Sequence, residues 1–186
     1  MSASVTFEVL GEGDLFQVIE LEPVIFPADP WTDGMLTEEF TREDRLYIGA
    51  YRGDDLVGYA GVRLGIDTDV MTVGILPLLR GMGIGSALAK ELIRRVKEVR
   101  FAPNGQVFMQ HELAAEVGFL PTGQIAKPVR RVERLLLEVR RSNQPAISLY
   151  EKLGFEVAGE IKRYYRNPVE DALVMIAELT ENTPVS

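Results

Sequence analysis

The feature that most constrains the fold is a glycine-rich turn between an apolar strand end and an amphipathic helix, within residues 73–92. Pro77 ends the strand because proline has no N–H to donate to a neighbouring strand. Gly81, Gly83 and Gly85 then permit positive φ angles and let a ligand approach the backbone without meeting a Cβ. Since a helix begins directly after them, free N–H groups and the positive end of its dipole face the turn. The stretch therefore predicts an anion site, most often one for phosphate.

Several kinds of turn share parts of this pattern. A Walker loop ends in Gly-Lys-Ser/Thr, which the stretch lacks. A dinucleotide-binding turn needs glycine where Ser86 stands, and an acidic residue about twenty positions later, which the region around Phe101 does not offer. The sequence RGMGIG at 80–85 instead fits the pattern Arg-x-x-Gly-x-Gly after a strand. A glycine-rich turn without any ligand stays open as well, because short glycine motifs recur by accident.

Length and charge set the broad class of protein. The chain of 186 residues suits one domain, which we expect over 1–180 with a loose tail over 181–186. A net charge of −8 argues against a nucleic-acid partner, because such binding relies on neutralising phosphates. No apolar run is long enough to cross a membrane and no signal peptide opens the chain, so we expect a cytoplasmic protein without a membrane partner.

The residue types that are missing limit the chemistry further. The sequence contains no cysteine and a single histidine, His111. An acyl-cysteine intermediate is therefore excluded, and a thiolate or multi-histidine metal site is not expected. If the chain transfers an acyl group, an amine must attack the thioester directly.

The order of elements predicts a mixed α/β fold, β-α-α-β-β-β-α-(insert)-β-α-β-β. The run RLLLEVR at 134–140 is apolar enough for a strand buried on both faces, and we expect it to lie parallel to the strand before the glycine turn. The segment 101–131 is an insert that should lie away from the glycine turn, with a short helix over 107–117. Residues 22–31 form a proline-rich loop, whose Phe26 and Trp31 either line a ligand site or fold back onto the core.

A second group of polar residues lies in and after the strand at 134–140. Glu138 interrupts an otherwise apolar run, Asn143 begins the next helix, and Tyr150 follows two turns later. Glu138 and Tyr150 each have an ordinary structural explanation, because Glu138 could pair with Arg140 and Tyr150 could be a core aromatic.

Both groups resemble a known family. The turn RGMGIG resembles the pyrophosphate loop of the GCN5-related N-acetyltransferases (GNAT), which hold acetyl-coenzyme A. The stretch LEVRRSNQPAISLYEKLGF at 137–155 and the later RYY…EDALVM at 163–175 resemble the ribosomal-protein alanine N-acetyltransferases of the RimI type. This resemblance implies the GNAT fold, a mostly antiparallel sheet with one parallel strand pair splayed around the cofactor and helices on both faces. The insert at 101–131 is longer than the family's usual connection.

The resemblance also implies roles for residues at matching positions. Glu138 would be the general base and Tyr150 the acid that protonates the departing coenzyme A thiolate. The acetyl-coenzyme A contacts would come from Val73, Gly74, Ile75, Arg80, Gly81, Met82, Gly83, Ile84, Gly85, Ser86 and Asn143. The substrate, the N-terminal peptide of a protein and specifically a ribosomal one, would be clamped by Phe26, Trp31, Tyr164 and Tyr165.

Two other functions stay open at the level of sequence. The same fold could acetylate a different amine, such as a small amine, a lysine or an antibiotic. Alternatively, the chain could bind acetyl-coenzyme A without turning it over, although Glu138 and Tyr150 argue against this. The sequence makes no prediction about the oligomeric state.

Overall fold

A computed structural model describes residues 4–102, 105–109 and 130–179. These residues form four α-helices: α1 Leu15–Ile25, α2 Asp33–Thr41, α3 Ile84–Lys97 and α4 Gln144–Lys152. They also form ten strands: β1 Val5–Leu10, β2 Arg45–Arg52, β3 Asp55–Arg63, β4 Asp67–Ile75, β5 Val99–Phe101, β6 Val107–Met109, β7 Arg130–Arg131, β8 Arg134–Arg140, β9 Glu156–Arg166 and β10 Val169–Glu178.

Seven strands form one sheet in the order β1-β2-β3-β4-β8-β10-β9. All neighbours are antiparallel except β4 and β8, which confirms the predicted parallel pair. That pair is short, because only Asp67, Thr68 and Asp69 of β4 oppose residues of β8. Beyond Asp69 the two strands diverge, so the sheet splits at its centre. The mixed α/β fold with helices on both faces is therefore confirmed.

Each face of the sheet carries its own apolar core. On one face α3 packs Leu88, Leu92 and Val96 against alternate residues of β2, β3 and β8. On the other face α1 and α2 contribute Val18 and Leu36, which pack against the opposite side of β2 and β3. Burying one such side chain contributes about 1.5–3 kcal/mol, so both layers stabilise the split sheet.

The loop predicted over 22–31 is shorter in the structure. Helix α1 continues to Ile25, with Pro23 inside its last turn. Proline removes only its own N–H there, and the amide of Phe26 still donates to the carbonyl of Glu22 at 2.8 Å. The prediction was therefore wrong for residues 22–25, which are helical, and the loop begins at Phe26. We call residues 26–31 the lip.

The described part of the insert forms a second, three-stranded sheet in the order β6-β5-β7. The predicted helix over 107–117 is wrong at its start, because Val107–Met109 is a strand paired with Val99–Phe101. The rest of that helix, including His111, lies outside the described residues. Strand β5 also pairs with β7, where Phe101 opposes Arg130, so the two ends of the insert lie side by side.

The predicted division of the chain into one domain and a tail stays a prediction, because 180–186 lies outside the described residues. Within the part that is described, no helix is long and apolar enough to span a membrane.

Candidate active site

A cleft of about 910 Å³ opens where β4 and β8 diverge. One wall is the edge of β4 over residues 70–75, and the other is residues 137–140 of β8. The glycine turn, the start of α4 and the lip complete the cleft. Its volume lies within the range of pockets that hold a small molecule or cofactor.

The glycine turn forms one end of the cleft. Gly81 and Gly83 have φ angles of +76° and +82°, which only glycine adopts without strain. No side chain caps α3 at Gly83 and no acidic residue lies in its first turn, so the first amides of this 14-residue helix keep their free donors. The turn therefore has the free donors and the helix dipole that an anion site needs, and binding of an anion there stays a prediction.

The turn residues differ in what they can present to a ligand. Gly81, Gly83, Gly85 and Ser86 line the cleft. Met82 is 59 % exposed and Ile84 is buried in the core, and neither side chain lines the cleft. Contacts from these two residues would therefore have to come from their backbone.

The edge of β4 offers an extended backbone to the cleft. Val73, Gly74 and Ile75 pair on one side with β3. Their other side faces the cleft, because β4 pairs with β8 only as far as Asp69. A Cβ on Gly74 would lie 2.4 Å from Ile25 Cγ2 and 2.5 Å from Phe26 Cζ, so glycine is needed for the lip to pack there. An open strand edge of this kind can hold an extended ligand by main-chain hydrogen bonds.

Arg80 lines the cleft but points its guanidinium at two backbone carbonyls. Its Nε donates to the carbonyl of Ile75 at 3.1 Å, and its Nη2 donates to the carbonyl of Ile25 at 2.8 Å. Arg80 therefore ties the end of β4 to the end of α1, where the lip begins. Its predicted contact with acetyl-coenzyme A stays a prediction.

Glu138 projects into the cleft from β8. Arg140 does not neutralise it, because Arg140 pairs with Glu170 at 3.3 Å, and no ion pair to Glu138 occurs among the described residues. Partial burial and the nearby negative charge of Asp69 raise the pKa of Glu138, and a hydrogen bond from its own backbone amide and then the positive charge of Arg63 oppose this rise. Asp69 is itself bound to Arg63, with Nε at 2.9 Å from Oδ2. The cleft thus contains an unpaired carboxylate with a raised pKa.

Tyr150 lies in the same wall, on α4. Its ring packs against Phe155, with ring centroids 5.5 Å apart, and burial and then the neighbouring Tyr165 raise the pKa of Tyr150 to about 12. The hydroxyl has no hydrogen-bond partner among residues 4–102, 105–109 and 130–179, so its proton is free for a ligand.

Asn143 lies at the start of α4, where its Oδ1 accepts a hydrogen bond from the amide of Ala146 at 3.3 Å, and it also lines the cleft.

The two tyrosines of β9 lie beside Glu138. The Tyr165 hydroxyl donates to the backbone carbonyl of Glu138 at 3.2 Å, and the two tyrosine rings meet edge to face at 5.1 Å. Tyr165 lines the cleft, whereas Tyr164 is 47 % exposed and lies outside its lining. The bulge that brings both rings here contains Arg163, which has φ +55° and whose amide donates to Asp171 Oδ1 at 2.8 Å.

Phe26 and Trp31 pack against the core of α1 and α2, as one interpretation of the lip predicts, and both also line the cleft. Their contact with a ligand stays a prediction. Sequence reasoning missed the residue that holds the lip. Glu22 is 2 % exposed, and its Oε1 accepts a hydrogen bond from the amide of Trp31 at 2.8 Å. Its Oε2 accepts a hydrogen bond from the Tyr59 hydroxyl. The helical spacing of Val18, Glu22 and Ile25 could have indicated that Glu22 lies on the buried face.

The chain is similar to several known proteins. Residues 15–114 match the acetyltransferase (GNAT) family. The N-alpha-acetyltransferase RimI of Mycobacterium tuberculosis is 33 % identical over 177 residues, which cover 92 % of this chain and 90 % of that protein. A putative ribosomal protein bS18-alanine N-acetyltransferase of Bacillus subtilis is 28 % identical, covering 90 % of this chain and 91 % of that protein. The crystal structure of the Escherichia coli ribosomal-protein-S18-alanine N-acetyltransferase superposes with a TM-score of 0.70 at 24 % identity, covering 97 % of this chain and 99 % of that one.

Proposed function

Because the chain belongs to the GNAT family of acetyltransferases, we propose that it transfers the acetyl group of acetyl-coenzyme A to the α-amine of a protein N-terminus. The N-terminal alanine of a ribosomal protein is the expected substrate, by analogy with the names of its relatives. The observation that carries the proposal is the presence of an unpaired carboxylate and a free phenol in the cleft that holds the uncapped glycine turn.

The walls of the cleft fit acetyl-coenzyme A. The free amides of residues 81–86 suit its pyrophosphate, and the open edge of β4 at Val73–Ile75 suits the amide groups of its pantetheine arm. Asn143 lies at the start of the helix that carries Tyr150, opposite the open edge of β4 in the same cleft. Acetyl-coenzyme A supplies an activated thioester, and the reaction needs no metal.

Glu138 and Tyr150 can perform the two proton transfers. Glu138 accepts a proton from the substrate's α-ammonium, directly or through a water molecule, and its raised pKa makes it a stronger base near neutral pH. The neutral amine then forms a C–N bond with the thioester carbonyl carbon, the nitrogen releases its second proton to solvent water, and the C–S bond breaks as the carbonyl re-forms. Tyr150 donates its proton to the leaving sulfur, since its phenol is neutral at physiological pH. Transfer is direct because the sequence has no cysteine to carry the acetyl group.

The substrate end of the cleft lies between the lip and β9. Phe26 and Trp31 form one side, and Tyr165 forms the other beside Glu138. Aromatic walls on both sides of a carboxylate suit a short peptide whose α-amine reaches the base. Tyr164 lies next to Tyr165 at the rim and would contact a later residue of the peptide.

A peptide panel tests the substrate. Peptides that begin with alanine, serine, glycine or methionine would be incubated with acetyl-coenzyme A and analysed by mass spectrometry, beside peptides with a blocked N-terminus and an internal lysine, and beside small amines. We expect acetylation at the α-amine, with alanine preferred. Acetylation of lysine or of small amines in preference to the α-amine would contradict the proposal, and so would binding of acetyl-coenzyme A without release of coenzyme A.

The role of Tyr150 is tested by Tyr150→Phe. We expect turnover to fall about a hundredfold, because a positioned general acid contributes roughly that much or more, while the Kd of acetyl-coenzyme A stays unchanged. Tyr51→Phe is the matched control, since the Tyr51 hydroxyl donates to Asp14 outside the cleft lining. Steady-state kinetics and calorimetry measure the two quantities, and nearly full turnover in a folded Tyr150→Phe variant would assign the acid to another group.

A further inference from the structure

A chain of hydrogen bonds crosses the cleft at its substrate end. The side-chain amide of Asn167, at the tip of the β9–β10 hairpin, donates to the carbonyl of Ala28 in the lip at 3.1 Å. The backbone carbonyl of Asn167 accepts a hydrogen bond from Arg140 Nη2 at 2.9 Å. Ala28 and Arg140 line opposite sides of the cleft. Asn167 therefore joins the two sides, and we call the set Ala28, Asn167 and Arg140 the bridge.

The β8 end of the bridge is firmly held. The Arg140 guanidinium lies 4.1 Å above the centroid of the Tyr165 ring, and its Nη1 donates to the carbonyl of Pro168 at 3.1 Å. The Glu170 carboxylate lies 3.3 Å from the same nitrogen. A planar guanidinium with this many partners has little freedom, so the hairpin tip and the Tyr165 ring keep a fixed position relative to β8.

The lip end of the bridge has fewer supports. The lip is held at its end by the hydrogen bond from the Trp31 amide to Glu22, and at its start by the hydrogen bond from Arg80 to the Ile25 carbonyl. Between these points, the hydrogen bond from Asn167 to Ala28 connects the lip to the opposite side of the cleft. Loss of this bond would let the lip move away from Tyr165.

We propose that Asn167 and Arg140 are positioning residues that set the width of the substrate entrance, and thereby the size of the first residue that the enzyme accepts. This inference rests on the proposed function, because it concerns the peptide site of that reaction. With the bridge formed, the lip and Tyr165 are held at a fixed separation, so the entrance is preorganised and does not open to admit a bulky first side chain. Without the bridge, the entrance widens, so a small residue binds less well and a bulky residue is rejected less strongly.

The test compares two peptides that differ only in an alanine or a leucine at the first position. In Asn167→Ala we expect the KM of the alanine peptide to rise about two- to tenfold, the range of one neutral hydrogen bond, with kcat and the Kd of acetyl-coenzyme A unchanged. The ratio of kcat/KM between the alanine and leucine peptides should fall by a similar factor. Val169→Ala, on the same hairpin but outside the bridge, is the control and should leave both quantities unchanged.

A second variant and a second measurement separate the bridge from the proposed function. Arg140→Lys keeps the charge but removes the planar guanidinium that donates to the carbonyls of Asn167 and Pro168. It should therefore also lower the ratio of kcat/KM between the alanine and leucine peptides. Trp31 is the one tryptophan of the sequence and lies in the lip, so its fluorescence reports on the lip without any substrate. Asn167→Ala should increase quenching of Trp31 by acrylamide, and Val169→Ala should not.

The outcomes are distinct. A wild-type enzyme that acetylates no N-terminal peptide would overturn the proposed function, and the Trp31 measurement would then decide by itself whether the bridge holds the lip. An active enzyme whose peptide ratio and Trp31 quenching do not change in Asn167→Ala would overturn the bridge and leave the proposed function intact.

Discussion

The two ends of the cleft are built in different ways. The proposed cofactor end consists of the backbone of residues 73–86, which follow one another along the chain. The proposed substrate end consists of side-chain hydrogen bonds between distant residues. Asn167 and Ala28 are 139 positions apart, Arg80 and Ile25 are 55 apart, and Tyr59 and Glu22 are 37 apart. The difference indicates that the cofactor end depends on local backbone conformation, whereas the substrate end depends on the whole fold.

The largest effect is expected at the residue where the two ends meet, Glu138. Glu138→Gln removes the base and keeps the shape of the side chain, so we expect kcat to fall about a hundred- to ten-thousandfold. Binding of acetyl-coenzyme A and of the peptide should stay within about twofold. Glu156→Gln, the same change on the exposed strand β9, is the control. Near wild-type turnover in Glu138→Gln would place the base elsewhere.

The next effect tests the cofactor end alone. Gly83→Val places a β-branched side chain at φ +82° and directs it into the turn. We expect the Kd of acetyl-coenzyme A to rise about a hundredfold, equivalent to two charge-assisted hydrogen bonds of roughly 1.5 kcal/mol each. Isothermal calorimetry measures this change.

Gly53→Val is the matched control for backbone strain. Gly53 has φ +66° in the turn between β2 and β3, and a Cβ there, as at Gly83, meets nothing within 4 Å. Both variants should lose a similar amount of unfolding free energy, about 1–3 kcal/mol. Only Gly83→Val should lose binding, and equal binding losses in the two variants would mean that the effect is one of stability.

The same contrast explains what the sequence could predict. The glycine turn, the succession of the seven main strands along the chain and the parallel pair follow from local patterns of glycine, proline and apolar residues, and the structure agrees with them. The spacing along α1 can indicate that Glu22 is buried, but not that its partners are Trp31 and Tyr59. Those partners, and the bond from Asn167 to Ala28, depend on which distant residues the fold brings together, and no local pattern encodes that. The start of the predicted helix at 107 failed for a related reason, because pairing of Val107–Met109 with β5 outweighed a weak helical pattern.

Arg80 tests whether the two ends are independent. It lies at the glycine turn, yet it donates to the carbonyl of Ile75 at one end and to that of Ile25 at the other. Arg80→Met removes both hydrogen bonds and so loosens the end of β4 and the start of the lip. We expect the Kd of acetyl-coenzyme A and the KM of the peptide each to rise about tenfold, the equivalent of roughly one charge-assisted hydrogen bond at each end. Arg134→Met, which breaks the exposed pair with Asp67, is the control. A change in only one of the two constants would show that Arg80 serves a single end.

The smallest effect concerns the pH dependence of the base. Asp69 raises the pKa of Glu138, so Asp69→Asn should lower that pKa, and the freed charge of Arg63 should act in the same direction. A base with a lower pKa stays ionised at lower pH. The acidic limb of the profile of kcat/KM against pH should therefore move to lower pH, while Asp54→Asn in the distant turn leaves it in place. A shift to higher pH would contradict the assignment of Glu138 as the base.

The pairing of Phe101 with Arg130 has a consequence for how the chain tolerates change. Because these two residues lie on adjacent strands, everything between them begins and ends at nearly the same point. The entropy of closing such a loop grows slowly, by about 0.6 kcal/mol for each doubling of its length. Segments of very different length can therefore be accommodated there without moving β8 or Glu138. The position is thus a suitable insertion site for a foreign domain or a reporter in an active enzyme.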